Sequence, residues 1–253
     1  MKISLVTLSF NQANYLKEAM DSVLGQAYPE LEYIVIDPGS TDGSREIIKS
    51  YGDFIKHIIF EPDLGAADGL NKGFSKASGE IFGFLNADDL LLPDALKVVA
   101  GFFAENPECD IVFGDGYVID GSGQRTRHYK ARGFSVDRYF YGGARWLQQS
   151  TFFRARTFAR SPKFNVSNRT CWDGELFVTM VSQGARVGYI DADLSSFRIH
   201  ASSISGSGKL NAQYFMDSRR IFQQVRGREW RSTDQVLRFF YRTTGYLSGL
   251  VAR

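Results

Sequence analysis

The sequence predicts an α/β fold in which a mostly parallel central sheet is flanked by helices and followed by a helical C-terminal tail. Short runs rich in branched aliphatic residues alternate with stretches whose apolar positions recur at helical spacing. Loops rich in glycine and polar residues follow several of the predicted strands. Strands that alternate with helices form crossover units, so they run parallel and their carboxyl ends share one edge of the sheet.

The alternation is clearest in the first half of the chain. We expect strands at residues 3–8, 31–37, 55–61, 80–85 and 110–118, and helices at residues 15–24, 45–51, 66–77 and 93–105. Asp42 or Ser44 is expected to cap the second helix. Beyond residue 118 the pattern is weaker. There it indicates a hairpin turn at 120–123, a variable insertion at 125–140, strands at 145–154 and 184–190, a helix at 173–183 and a Ser/Gly-rich loop at 202–208.

The composition argues against several classes of protein. The chain has 253 residues, with 30 Lys and Arg against 28 Asp and Glu, and this near balance gives no indication of a nucleic-acid partner. Cys109 and Cys171 are too few and too far apart for a disulfide framework or a zinc cluster, which favours a cytoplasmic location. We expect no signal peptide and no membrane span, so any membrane contact would be peripheral, at the inner face.

Two carboxylates at the end of a buried strand are the strongest local signal for a ligand site. Asp88 and Asp89 follow an apolar run that ends at Leu85. A core does not hold unpaired carboxylates, so the pair is expected to face a crevice and to hold a cation. The loops at residues 7–11, 37–42 and 86–89 follow three strands and are expected to converge there. The alternative is that both carboxylates only cap the next helix.

Several motifs, taken in order and spacing, resemble the family 2 nucleotide-sugar glycosyltransferases, which have the GT-A fold. The matching stretches are Val6-Thr7-Leu8-Ser9-Phe10-Asn11, Asp37-Pro38-Gly39-Ser40-Thr41-Asp42, Asp68-Gly69-Leu70-Asn71-Lys72-Gly73, Asn86-Ala87-Asp88-Asp89, Trp172-Asp173-Gly174-Glu175-Leu176 and Arg198-Ile199-His200. The resemblance implies a GT-A nucleotide-sugar-binding domain over residues 1–208. Residues 1–118 would form its nucleotide-binding half and residues 119–208 its acceptor-binding half, followed by a basic amphipathic helical tail at residues 209–253.

The resemblance implies that the first two loops bind the nucleotide of a UDP-sugar donor. Asp37 is expected to accept a hydrogen bond from the uracil imide, because a carboxylate can read that N–H group. Thr7, Ser9 and Asn11 are expected to line the base and ribose. Pro38 stands where relatives carry Asp or Gly, which removes a backbone donor. The alternative is that Asp37 only caps the loop after its strand.

The resemblance also implies Mg²⁺ or Mn²⁺ on the diphosphate of the donor. Asp88 and His200 are the expected metal ligands, and Arg198 is expected to approach the diphosphate. The same site is expected to include Asn86 on the ribose, Ala87, and Asp89, which would orient Asp88 or a sugar hydroxyl. Asn86 replaces the first Asp of the family motif and contributes no charge. A structural hydrogen-bonding role is the alternative for His200.

The helix that starts near residue 66 carries two further candidates. Asp68 is expected either to touch the donor or to cap the helix, with equal weight. Lys72 is expected to neutralise phosphate charge, and the alternative is a solvated helical lysine.

The segment around residue 173 is expected to supply the chemistry of transfer. Asp173 matches the position of the family's general base, and Trp172 replaces a Glu and could stack on a sugar ring. The alternative is that Asp173 only caps the N-terminus of the next helix.

The resemblance therefore implies an inverting, metal-dependent glycosyltransferase that moves a hexose to a saccharide or lipid-linked saccharide in surface-polysaccharide assembly. A non-catalytic nucleotide-sugar or glycan-binding protein is the alternative, because Pro38, Asn86 and Trp172 replace expected residues. A dinucleotide-dependent oxidoreductase is disfavoured, since no Gly-x-Gly-x-x-Gly follows the first strand. For the tail, peripheral contact with anionic lipid and packing against the domain or a second subunit both stay open.

Overall fold

The computed structural model describes residues 1–201 and 210–250. The strands are β1 (Ile3–Leu8), β2 (Leu31–Ile36), β3 (His57–Ile59), β4 (Ile81–Asn86), β5 (Leu90–Leu91), β6 (Ile111–Ile119), β7 (Arg125–Tyr129), β8 (Thr151–Arg154) and β9 (Val187–Arg198). The helices are α1 (Ala13–Leu24), α2 (Ser44–Ser50), α3 (Ala66–Lys76), α4 (Ala95–Glu105), α5 (Val136–Tyr141), α6 (Ala155–Arg160), α7 (Trp172–Ser182), α8 (Asn211–Arg226) and α9 (Ser232–Leu250). Short 3-10 turns occupy Gly52–Phe54 and Gln148–Ser150.

One sheet runs through the molecule in the order β3-β2-β1-β4-β8-β6-β9-β5, with β7 paired to β6. The first four strands in this order are parallel, as expected from their helical crossovers. Strand β8 then runs antiparallel to both β4 and β6, and β5 runs antiparallel to β9. The expectation of a mostly parallel sheet therefore holds for the first half of the chain, and the second half is mixed.

Helices cover both faces of the sheet, which explains why its central strands are apolar along their length. On one face, Leu16 of α1 and Phe103 of α4 pack against the strands. On the other face, α3, α6, α7 and α8 enclose a cluster rich in phenylalanine, in which the rings of Phe74 and Phe82 stack with centroids 4.8 Å apart. Gly73 allows α3 to pack closely against the sheet, because a Cβ atom at this position would lie 2.7 Å from the side chain of Ile36 on β2.

The two C-terminal helices pack onto the domain through buried ion pairs and apolar contacts. The two terminal guanidinium nitrogens of Arg220 on α8 donate hydrogen bonds to the carboxylate of Glu175 on α7, at 2.6 and 2.8 Å. Ile221 and Phe222 are buried beside this pair. Asp234, at the start of α9, accepts hydrogen bonds from Arg228 and from the hydroxyl of Tyr141 on α5. Of the alternatives for the tail, packing against the domain is therefore observed on the sides of α8 and α9 that carry these residues.

Two local expectations were wrong, one was confirmed and one could not be compared. Residues 125–140 are not an irregular insertion, since they contain the exposed strand β7 and the helix α5. The strand expected at 145–154 begins only at Thr151, after the 3-10 turn at Gln148–Ser150. The hairpin turn at 120–123 is confirmed, because it joins the antiparallel strands β6 and β7. The Ser/Gly-rich segment at 202–208 and the expected boundary at residue 208 lie outside the described residues.

No helix within residues 1–201 and 210–250 combines the length and the apolar character that crossing a bilayer requires.

Candidate active site

A crevice of about 560 Å³ opens at the carboxyl ends of β1, β2 and β4 and extends to the start of α7. Its lining includes Asn86 and Asp88 from the loop after β4, and the aromatic side chains of Trp172 and Phe10. The other lining residues are Leu8, Ser9, Gln12, Pro38, Pro62, Asp63, Gly65, Ala66, Ala87 and Phe197. Three loops from separate strands thus converge at one edge of the sheet, as the motif positions predicted.

Asp37 holds its own loop together and does not present a free carboxylate to the crevice. The side chain is fully buried and accepts five hydrogen bonds, from Ser9 Oγ, Gly39 N, Ser40 N, Ser40 Oγ and Arg45 Nε. Burial alone would raise the pKa of Asp37, but the hydrogen bonds from Ser40, Arg45 and Gly39 outweigh it and lower the pKa. The expectation that Asp37 reads the base is corrected, and the loop-capping alternative fits. Pro38, the next residue, lines the crevice instead.

The three predicted residues of the first loop have different positions. Thr7 is fully buried, and its hydroxyl accepts a hydrogen bond from Tyr33 at 3.0 Å, so the expectation that Thr7 lines the base is corrected. Ser9 lines the crevice and donates to Asp37. Asn11 is exposed at a φ of 52°, and its side-chain oxygen accepts the backbone N–H of Thr41 at 2.9 Å. Asn11 therefore ties two loops together beside the crevice without lining it.

Asp88 and His200 meet at the crevice, although 112 residues separate them. Asp88 Oδ2 lies 3.0 Å from His200 Nε2, and the Asp88 side chain keeps 14% of its surface exposed. The ring of Tyr15 packs against the imidazole with centroids 4.8 Å apart. A carboxylate oxygen beside an imidazole nitrogen is a donor set that suits Mn²⁺ better than Mg²⁺, which prefers oxygen ligands. The two residues fit a role in holding a divalent cation.

Asp89 positions this loop from the inside. It is fully buried and accepts hydrogen bonds from Gln149 Nε2 at 2.6 Å, Asn86 Nδ2 at 3.1 Å and the backbone N–H of Arg198 at 2.8 Å. Burial and then the charge of Asp88 raise the pKa of the Asp89 carboxyl. Asp89 is not among the residues that line the crevice, and its expected role of orienting Asp88 or a sugar hydroxyl stays a prediction. Asn86 and Ala87 line the crevice as predicted.

Arg198 connects three segments of the chain through hydrogen bonds of its buried side chain. The side chain is 1% exposed. Its nitrogens donate to the backbone oxygens of Asp88 at 2.8 Å and Asp120 at 3.2 Å, and to Glu18 Oε2 at 2.6 Å. With its guanidinium bonded to protein acceptors, Arg198 positions the Asp88 loop. The expected contact with the donor phosphates is corrected.

Asp68 and Lys72 interact with each other and with the preceding loop. Asp68 Oδ2 accepts the N–H of Leu64 at 3.0 Å and lies 3.2 Å from Lys72 Nζ, which also donates to the backbone oxygen of Pro62 at 2.5 Å. Neither residue lines the crevice, so the capping alternative fits Asp68. The expected donor contacts of both side chains stay predictions.

Asp63 is a crevice residue that the sequence reasoning missed. Its Oδ1 accepts the N–H of Gly65 at 2.8 Å, and within residues 1–201 and 210–250 no hydrogen bond to Oδ2 is found. Burial, and secondarily the charge of Asp68, raise the pKa of Asp63. The available signal was its position after β3, at the carboxyl end of a parallel strand.

Asp173 lies in the first turn of α7, one residue after Trp172 in the crevice wall. The ring of Trp172 packs on Phe84 with centroids 5.5 Å apart, which fixes the start of the helix. Burial raises the pKa of Asp173, while N–H groups of the helix N-terminus partly oppose the rise. The side chain of Cys171, at the N-cap position, makes no capping hydrogen bond.

A second group of possible metal ligands lies away from the crevice, on β6, β7 and β9. Ligand atoms of Asp115, His128 and Asp193 all lie within 4.8 Å of one another. Asp115 already accepts hydrogen bonds from Ala131 N and Tyr189 Oη and lies 3.2 Å from Lys130 Nζ. None of the three lines the crevice, and the ammonium group disfavours a cation at Asp115.

The architecture has clear counterparts among solved structures. It is similar to residues 1–349 of TarS from S. aureus in complex with UDP-GlcNAc, with a TM-score of 0.73 and 20% identity over 89% of this chain and 66% of that one. It is also similar to the mannosyltransferase PcManGT from Pyrobaculum calidifontis in complex with GDP-Man and Mn²⁺, with a TM-score of 0.68 and 17% identity over 97% of this chain and 69% of that one. These similarities define the GT-A glycosyltransferase fold.

Residues 4–163 match the family model of glycosyl transferase family 2, and the chain belongs to this family. It is 36% identical over 130 residues to an uncharacterized glycosyltransferase of Nostoc sp., covering 47% of this chain and 40% of the relative. It is 35% identical over 106 residues to the putative teichuronic acid biosynthesis glycosyltransferase TuaG of Bacillus subtilis, covering 41% and 42%. The matched stretch thus spans less than half the length of both relatives.

Proposed function

We propose that this protein transfers a hexose from a UDP-sugar to a saccharide or lipid-linked saccharide, with inversion, in surface-polysaccharide assembly. The observation that carries the proposal is the contact of His200 with Asp88, which lines the crevice whose wall leads through Trp172 to Asp173. The nucleotide sugars bound by the structural neighbours and the name of the Bacillus subtilis relative support the donor class and the process.

The nucleotide would bind between the first three loops of the crevice. Phe10 is 59% exposed at the crevice and offers a ring on which a base can stack. Asp63 Oδ2 can accept the imide N–H of uracil, the role first expected of Asp37. Ser9 and the amide of Asn86 offer groups for ribose hydroxyls.

Asp88 and His200 would hold a divalent cation, Mn²⁺ or Mg²⁺, against the diphosphate. When bound, the cation would neutralise charge on the UDP leaving group. Arg198 and Asp89 hold the Asp88 loop in place from behind, through the hydrogen bonds at its backbone and at Asn86. A fixed loop favours catalysis because the ligand geometry need not reorganise during transfer.

Asp173 would act as the general base. The acceptor hydroxyl oxygen forms a bond to the anomeric carbon while the bond from that carbon to the diphosphate oxygen breaks. The hydroxyl proton passes to the Asp173 carboxylate, and the electron pair of the broken bond leaves with UDP. The raised pKa of Asp173 strengthens it as a base once it is ionised. Trp172 would pack against a sugar ring beside it.

The test is transfer and donor hydrolysis with purified protein, a panel of UDP-sugars and either Mn²⁺ or Mg²⁺. Replacing Asp173 with Asn should reduce turnover by a factor of about 10² to 10⁴ because the proton acceptor is lost, while calorimetric UDP binding stays unchanged. The acid limb of the wild-type pH–rate profile should lie above the usual carboxylate range, since the pKa of Asp173 is raised. Full turnover in Asp173→Asn would reject the base assignment. Binding of UDP-sugars without hydrolysis or transfer of any would reject the enzymatic proposal.

A further inference from the structure

The outer side of the tail carries a concentration of exposed apolar side chains. On α9, Val236 is 69% exposed and Phe239 is 71% exposed. They are three residues apart and therefore lie on the same side of the helix. At the start of α8, Tyr214, Phe215 and Met216 are each more than half exposed. Exposed apolar side chains gathered on two neighbouring helices mark a candidate interaction site.

Arginines that lack carboxylate partners border this apolar surface. Arg219, Arg238 and Arg242 are exposed, and no ion pair between them and a carboxylate is found within residues 1–201 and 210–250. They line a groove of about 350 Å³ between α5, α8 and α9, together with aromatic residues that include Tyr214 and Phe215. The Arg219 guanidinium lies over the Phe215 ring, 4.8 Å from its centroid.

The inner arginines of the same two helices show the opposite arrangement. Arg220 pairs with Glu175, Arg226 with Asp137, and Arg228 with Asp234. The arginines that fix the tail to the domain therefore have carboxylate partners, whereas the three exposed arginines of the groove have none among the described residues. Packing on the domain accounts for the first set of arginines and leaves the second set without an explanation.

We propose that the outer surface of α8 and α9, formed by the exposed apolar residues and Arg219, Arg238 and Arg242, binds the surface of an anionic lipid bilayer. Aromatic and aliphatic side chains enter the boundary between headgroups and acyl chains, and arginines bind lipid phosphates. Charge complementarity selects this occupant. In a symmetric contact between two copies of the chain the same patch faces itself, which would bring the arginines of both copies together.

The position of this surface gives membrane binding a role that rests on the proposed transferase function. Arg220 fixes α8 to Glu175, two residues after Asp173 on α7. A lipid-linked acceptor held at the bilayer would thus be presented on the Asp173 side of the crevice.

The experiment is vesicle flotation with the full chain. Probes are vesicles of phosphatidylcholine alone and of phosphatidylcholine mixed with phosphatidylglycerol. We expect binding to the anionic vesicles only. Arg238→Gln/Arg242→Gln should weaken it about thirtyfold, and Val236→Ser/Phe239→Ser about tenfold or more. Phe54→Ser is the matched control for exposed apolar area, because Phe54 is 69% exposed in a turn between α2 and β3. The control should bind vesicles as the wild type does.

Hydrolysis of a UDP-sugar without vesicles should be unchanged in these variants, because none of the altered residues lines the crevice. Failure of the membrane proposal is thereby separated from failure of the transferase proposal. Recovery of wild-type protein away from anionic vesicles would overturn the membrane proposal, as would equal binding by wild type and both double variants. A dimer in sedimentation velocity that Val236→Ser/Phe239→Ser dissociates would assign the surface to a second copy and would also overturn it.

Discussion

The loops of the donor crevice and the outer surface of the tail differ in how their charged groups are paired. In the crevice loops, Asp37, Asp89 and Arg198 are buried and bonded to protein partners. On the tail, Arg238 and Arg242 are exposed without a carboxylate partner in the described parts of the chain. Paired buried charge fixes a shape, whereas unpaired exposed charge is available to another molecule. The motif residues therefore have partly structural roles, and the proposed interaction surface of the tail lies outside the motifs.

The largest expected effect comes from breaking the buried pair that joins the tail to the domain. Arg220→Met should lower the free energy of unfolding by about 3 kcal/mol, because Glu175 would stay buried without its cationic partner. Arg219→Met is the matched control on the same helix, and its effect should stay within about 0.5 kcal/mol. Urea unfolding measures both. Equal losses of unfolding free energy in the two variants would contradict the distinction between arginines with a carboxylate partner and arginines without one.

The next largest effect is expected at the crevice, where a lining carboxylate is compared with a carboxylate outside the lining. Asp88→Ala should weaken UDP binding in the presence of Mn²⁺ about a hundredfold, since one of the two proposed cation ligands is lost. Asp68→Asn is the control, because Asp68 lies outside the crevice and binds Leu64 N and Lys72. Isothermal titration calorimetry with and without Mn²⁺ measures the UDP affinity of both variants. A similar loss in both variants would reject the metal role of Asp88.

A third test concerns paired charge at the opposite edge of the sheet, where Glu32 is buried. Burial alone would raise the pKa of Glu32, but hydrogen bonds from Lys2, Ser4 and Ser78 lower it to about 2 from 4.5. A depressed pKa stabilises the fold above the unfolded value, and this stability is lost as the pH falls from about 5 towards 2.

Glu32→Gln should therefore cost about 2 kcal/mol at neutral pH, allowing for the partial exposure of Lys2, and less at low pH. UDP binding should not change, since Glu32 lies outside the crevice. Denaturant titrations across this pH range measure the difference. An effect that is the same at all pH values would contradict the assigned role of the charge.

The smallest effect separates lining residues from buried ones. Asp63→Asn should weaken UDP binding about tenfold, because the amide cannot match a carboxylate as acceptor for an imide N–H. Thr7→Val should leave UDP binding unchanged, since Thr7 is buried against Tyr33. Competition against labelled UDP measures both affinities. A greater loss of UDP affinity in Thr7→Val than in Asp63→Asn would indicate that the first loop, and not Asp63, contacts the base.

The sequence predicted which segments meet at the crevice but not which side chains face it. The motif order placed Asp88 and His200 together, and the structure brings them within 3.0 Å. The functional role of the pair stays a prediction. Arg198 could not be recognised as buried, because its hydrogen-bond partners come from distant segments. Glu18, which binds Arg198, is 180 residues away in the chain.

Local sequence patterns did not predict the elements in which nearly all residues are exposed or all are buried. All but the last residue of β7 are exposed, so the strand shows no apolar alternation and resembles an irregular segment. The opposite problem arose at Gln148–Ser150, where every residue is buried and the 3-10 turn has the same apolar context as a strand. The parallel first half was predictable because helical crossovers enforce it, while β8 entered the sheet in a direction that no local pattern marks.

The hydrogen bonds of Arg198 have a consequence for the order of assembly. Residues 1–118 include most of the crevice loops, yet Asp89 receives hydrogen bonds from Gln149 and from Arg198 N, both later in the chain. The guanidinium of Arg198 then joins α1 to the turn after β6 and to the Asp88 loop. A growing chain therefore cannot form all the hydrogen bonds that hold the crevice loops until β9 has been synthesised and has joined the sheet.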